Sequence, residues 1–140
     1  MNGAKVNTCL TYARDAALLV TGHPDGALRM WDPRRGEDDA ASRASLSAGS
    51  LVAEGGSWIS DVAWCGPSSP YLVAATSHDA KLRLWDLRGN KPLYTLRAGY
   101  APKSKSKEAV KALAVGWSGS RVGAGGSDST VHMYELSDLA

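Results

Sequence analysis

Three segments of this chain align without a gap: HPDGALRMWD (23–32), SHDAKLRLWD (77–86) and GSDSTVHMYE (126–135). Each carries an acid at its third position (Asp25, Asp79 or Asp128) and an aromatic six residues later (Trp31, Trp85 or Tyr134). A second acid follows at once: Asp32, Asp86 or Glu135. The apolar positions between them coincide too, Leu28 with Leu82 and Val131, then Met30 with Leu84 and Met133. Ahead of each acid stands a short apolar run (AALLVT, YLVAAT, RVGAGG), and ahead of that an alternating run ending in Tyr12, Trp64 or Trp117. Registers that agree over so many positions define an internal repeat, and a unit of this length cannot bury its apolar face alone.

Period and turn chemistry give each unit its shape. Alternation in WISDVAW predicts a strand with Trp58, Val62 and Trp64 on one face. YLVAAT is almost continuously apolar, as suits a strand covered on both faces. Asp25-Gly26 is a hairpin signal, because glycine accepts positive φ and the carboxylate can bond turn amides. Asp79-Ala80 and Asp128-Ser129 keep the acid without the glycine, so the acid is what the turn requires. A strand follows each turn, and SLVAE and PLYTLRA supply a further one. The expectation is all-β: about three four-stranded antiparallel meanders, strands a to d, over residues 5–54, 57–98 and 110–136.

Composition narrows the function classes. With 140 residues, 44% of them hydrophobic, the chain suffices for one ordinary core. Sixteen Lys and Arg against fourteen Asp and Glu leave no global basic field of the kind that marks many nucleic-acid binders. No apolar run approaches a membrane span, and MNGAKVNTCLTYAR lacks both a signal-peptide core and a transit pattern. Cys9 and Cys65 share no short spacing and sit in strand-like runs, which predicts reduced, packed thiols in cytosol or nucleus.

The Trp-Asp ending, the six-residue interval and the four-strand unit together resemble the WD-repeat family of β-propellers, over nearly the whole chain. The resemblance implies radially stacked sheets, each unit forming about one blade of a partial propeller. Two departures stand out. The Gly-His pair expected before the first strand is missing, with Gly55 where the histidine would fall. The Ser/Thr four residues before the turn acid survives only as Thr21, with Ala75 and Ala124 in the other units. The hydrogen-bond network of Asp, His, Ser/Thr and Trp that the family implies is therefore expected to be incomplete.

Within that family, LRMWDPR, HDAKLRLWDLRGNKPLYTL with its Lys-rich continuation, KALAVGW and GAGGSDSTVHMYEL are similar to the last blades of the nucleolar WD-repeat subunits of pescadillo–block-of-proliferation complexes. That likeness implies a non-catalytic scaffold in large ribosomal subunit assembly and pre-rRNA processing. It implies a block-of-proliferation-type protein partner and a nucleolar, nuclear location, with cytoplasm the alternative.

The aromatics are spaced more widely than the ~40–45 residues of a plain unit. The excess lies in an acidic stretch, GEDDA, between strands c and d of the first unit. It also lies in PKSKSK, between the second unit and the third. Alternate connections of a meander emerge at opposite ends, so these two should project from opposite faces of the stack. Lys103, Lys105 and Lys107 in PKSKSK are candidates for phosphate contacts with pre-ribosomal RNA, with a solvated loop as the alternative. Ser104 and Ser106 between them are candidate phosphorylation sites.

No residue set points to catalysis, a metal or a cofactor. The repeat-equivalent turn acids read as structural rather than as acid–base groups. His23, His78 and His132 have no ligand spacing, and GAGGSDS lacks the lysine and strand-to-helix context of a phosphate loop, reading as a bulge or close backbone approach. Trp58, at the start of a strand, is the aromatic most open to a partner. WDPR and WDLR also match the Trp-Asp-x-Arg box of substrate receptors for cullin-based ubiquitin ligases, which would make Arg34 and Arg88 docking residues. Either arginine can equally pair with its acid or cover an aromatic. Propellers close with four to eight blades, so three units predict exposed end faces, met by self-association, a second chain or further chain of a longer protein.

Overall fold

The period and the turns set the topology. In a computed structural model describing residues 6–34, 47–52, 57–98 and 112–138, the first sheet is β1 (Cys9–Ala13), β2 (Leu18–Gly22), β3 (Ala27–Trp31) and β4 (Ser47–Val52). The second is β5 (Ile59–Trp64), β6 (Leu72–Ser77), β7 (Lys81–Asp86) and β8 (Pro92–Arg97). The third is β9 (Ala112–Ser118), β10 (Arg121–Gly126) and β11 (Val131–Glu135). Strands pair antiparallel in chain order within each sheet. The architecture is all-β, with three-residue 3-10 turns at Arg14–Ala16 and Leu136–Asp138 as the only helical pieces among the described residues.

The acid-bearing turns are three copies of one hairpin. The amide of Gly26 bonds the carbonyl of His23 at 3.2 Å, that of Ala80 the carbonyl of Ser77 at 3.2 Å, and that of Ser129 the carbonyl of Gly126 at 3.3 Å. The residue after each acid is left-handed, with φ of 83° at Gly26, 61° at Ala80 and 61° at Ser129. This is the three-residue hairpin loop, a tight turn followed by one left-handed residue. Only Gly26 adopts that conformation freely. Ala80 and Ser129 hold it at a cost of about 1–2 kcal/mol each. In the third turn the acid offsets part of this cost, Asp128 Oδ1 accepting from the Thr130 amide at 3.1 Å; Asp25 Oδ1 accepts from the Ala27 amide at the same distance.

Packing gives every sheet a direction. Leu28 and Met30 of β3 join Val20 and Leu51 in a core that Trp85, Val73 and Ile59 complete from the second sheet. Leu82 and Leu84 of β7 face the other way, into a second core with Val122, Ala124, Trp117 and Tyr134. Trp85 and Tyr134 therefore pack against the sheet before them, and the apolar pairs of β3 and β7 receive the sheet after them. Inter-sheet contact concentrates at β1, β5 and β9. There the Trp64 amide donates to Thr11 Oγ1 at 3.2 Å and the Val115 amide to Asp61 Oδ2 at 3.0 Å.

The same direction leaves two faces open. Val131 and Met133, equivalent to the buried apolar pairs, are 73% and 58% exposed beside an open groove floored by Gly116, Gly123 and Gly125. On the first sheet Leu10 and Tyr12 are exposed and Trp31 is only half-buried.

Two features depart from expectation. The pairing of β5 with β6 slips between Ile59 and Asp61. This bulge turns Ile59, not Trp58, to the core side with Val62 and Trp64. Trp58 lies ahead of the strand, 44% exposed. Three members of the expected polar network join in the first sheet, with the histidine supplied by His23 of the turn itself. Trp31 Nε1 donates to Thr21 Oγ1 at 2.9 Å, Thr21 Oγ1 is 2.7 Å from His23 Nε2, and His23 Nδ1 is 2.8 Å from the Val6 carbonyl. In the second sheet Ala75 occupies the position of Thr21, and Trp85 Nε1 has no hydrogen-bond partner among the described residues. The third substitutes tyrosine, whose hydroxyl donates to the Arg97 carbonyl of the preceding sheet at 2.6 Å.

Stack position should therefore decide what an aromatic contributes. Trp85→Ala, at a site with no exposure, is expected to cost about 3–5 kcal/mol in urea unfolding, and Trp31→Ala distinctly less. Equal losses would contradict the packing direction.

Candidate functional site

Turns β2–β3, β6–β7 and β10–β11 lie at one end of the stack, together with the starts of β1, β5 and β9; the other end carries Asp32, Asp86 and Glu135. At the turn end each acid meets the residue four positions on, across its own hairpin. Asp25 pairs with Arg29 at 2.9 Å, Asp79 with Arg83 at 2.7 Å, and Asp128 lies 4.0 Å from His132. Arg83 is the least exposed of the three partners, and it also donates to Ser77 Oγ at 2.8 Å. The bond from Arg29 holds the Asp25 carboxyl below the usual carboxylate range. Burial works to raise Asp79, but the bonds from Arg83 and Ser77 outweigh it and leave it lowered. These acids are structural clamps.

Beside the central clamp, Trp58 and His78 form a parallel pair with ring centroids 5.7 Å apart and planes within 3°. Their backbones hold them together, for the His78 amide donates to the Trp58 carbonyl at 2.9 Å.

The opposite end repeats a different clasp. Arg34 reaches both oxygens of Asp32 at 3.0 and 3.1 Å, and Arg88 both oxygens of Asp86 at 3.0 and 2.8 Å. The amides of the same two arginines donate to the same acids at 2.9 Å. Arg88 also lies 4.2 Å over the Tyr71 ring. Donation to Asp32 raises Arg34, donation to Asp86 raises Arg88, and the same bond lowers Asp86. In the third repeat Glu135 instead takes Arg121 and the Ser120 hydroxyl, whose bonds lower its carboxyl, that from Ser120 foremost.

Among the described residues no group of three His, Cys, Asp or Glu could hold a metal ion, and no helix is long and apolar enough to cross a membrane. Both cysteines are free thiols. Burial pushes Cys65 up to about 12 and also raises Cys9, which suits packing and not nucleophilic attack. Lys103, Lys105 and Lys107, with Ser104, Ser106 and the GEDDA stretch, lie outside the described residues.

The WD domain, G-beta repeat family matches residues 2–32 and 48–86. The chain belongs to the WD-repeat family. Its three sheets are consecutive blades of a WD propeller. A solved structure titled "Crystal Structure of Mitotic Checkpoint Complex" superposes with a TM-score of 0.64 at 25% identity, covering 96% of this chain and 37% of that one. Curated relatives named "Ribosome biogenesis protein WDR12 homolog" include those of Chlamydomonas reinhardtii, 37% identical, and Nematostella vectensis, 33% identical. Each alignment covers 96% of this WD-repeat chain and 29% of the relative, so the chain spans under a third of their length. Proteins of the WD-repeat family are typically non-catalytic scaffolds.

The clamps differ in what they hold. Asp79→Asn strips a nearly buried guanidinium of its counter-charge, with an expected cost of about 3 kcal/mol. Asp25→Asn, beside a more exposed arginine, costs about 1 kcal/mol or less. Because the Asp79 carboxyl is lowered in the fold, its contribution is complete above the unfolded value of ~3.9 and disappears as pH falls through the folded value. The stability gap between the parent and Asp79→Asn should thus be flat from about pH 8 to 5 and close below about pH 4 in denaturant titrations.

Proposed function

We propose that this chain is a non-catalytic WD-repeat scaffold of large ribosomal subunit assembly, acting in pre-rRNA processing in the nucleolus. The observation that carries the reading is the alignment of 96% of the chain, at 37% identity, with a ribosome biogenesis protein. The geometry is in keeping with it: stacked blades present ends at which the repeat acids are clasped by arginine. Partners are proteins, a block-of-proliferation-type subunit first among them. The two open blade faces are where further blades, from more chain or a second copy, complete the stack.

The ubiquitin-ligase alternative needs Arg34 and Arg88 to dock an adaptor, and both guanidinium groups already clasp their own acids in the same way. That repetition supports a structural role. Gradient sedimentation of extracts from cells expressing a tagged chain separates the two. The chain should travel with large-subunit precursors, and Arg34→Ala with Arg88→Ala should leave it there. A chain absent from those fractions that copurifies with a cullin adaptor, and loses it in the double variant, would overturn the proposal.

A further inference from the structure

We infer that the turn end of the central blade binds single-stranded RNA, with Trp58 and His78 stacking on bases and Lys81 and Arg97 contacting phosphates. Strand order places these four residues in a row. Trp58 directly precedes β5, His78 follows β6, Lys81 opens β7 and Arg97 closes β8. At ~4.8 Å between neighbouring strands, the row is about 14 Å long, with an aromatic half and a cationic half.

Each half is unusual on structural grounds alone. The indole of Trp58 remains 44% exposed although its ring lies parallel to His78, so a flat apolar surface faces water at a sheet end. Lys81 and Arg97 sit directly opposite each other across β7 and β8, where like charges are destabilising. Both are exposed, and neither forms an ion pair with a described residue. The nearby acids do not compensate them: Asp79 is held by Arg83 and Ser77, and Asp61 accepts from the amides of Val62 and Val115.

An aromatic platform beside unpaired cations is the combination that binds single strands without sequence preference, since any unstacked base offers a π-face and any backbone its phosphates. A duplex offers no free base faces. An acidic peptide would use Lys81 and Arg97 but not the indole. The inference stands on this row of residues and does not require the scaffold reading: RNA binding can hold where sedimentation with ribosome precursors fails, and the reverse.

The test is fluorescence anisotropy of a labelled 12-residue oligouridylate with the full 140-residue chain, over a series of salt concentrations. Trp58→Ala should weaken binding by about tenfold or more, and Trp58→Phe should retain most of it. Lys81→Gln with Arg97→Gln should reduce the slope of log affinity against log salt by about 1.4, at ~0.7 per phosphate contact on a single strand. A 12-base-pair duplex should compete poorly. The inference is overturned if the parent chain does not bind the oligomer. It is overturned equally if binding is unchanged in Trp58→Ala and in the double variant. Capture of polyglutamate in preference to RNA, lost with the cations but not with Trp58, would assign the row to a protein partner instead.

Discussion

A β-sheet two to four strands wide has two faces and, alone, nothing to put against either. The structure answers with stacking in one direction, the aromatic of each repeat closing over the apolar pair of the repeat before. Trp85 has no exposure because Leu28 and Met30 share its core. Val131 and Met133 are exposed because nothing plays Trp85's part for them. Burial of this kind, at about 25 cal/mol per Å² of apolar surface, is what lets Trp85 keep an indole N–H with no partner among the described residues, a defect that costs about 1–3 kcal/mol.

Stacking consumes the faces between the sheets, and the charged clamps gather at the ends, where they divide by role. Asp25, Asp79 and Asp128 hold hairpins whose third loop residue is left-handed, so their partners across the turn are fixed by the strand pairing itself. Asp32 and Asp86 hold the arginines that follow them and shape the opposite end. On the central blade the indole of Trp58 stays exposed at the turn end beside two cations, Lys81 and Arg97.

The hairpins, the direction of the meander and the double coverage of YLVAAT were legible because each follows from period and turn chemistry over a few residues. The acid–arginine clamps were not, although Arg29, Arg83 and His132 align in the repeat. A pair four apart reads as helical unless the chain is known to reverse between its members. Trp58 was singled out as an aromatic open to a partner, but its place in the alternation was misread because one extra residue at Ser60 inverts the face and leaves no mark in the apolar pattern. His23 was weighed only as a metal ligand, since its role depends on Thr21 and on a carbonyl seventeen residues away.

Native-state hydrogen exchange, followed strand by strand at low micromolar concentration, tests the stacking account most directly. If each sheet depends on a neighbour at both faces, the slowest amides lie in β6 and β7 of the central sheet, and β2, β3 and β10 exchange faster by sub-global opening. Amides of β10 or β2 protected as strongly as those of β6 would mean that the sheets stand independently of one another, and the account would fail.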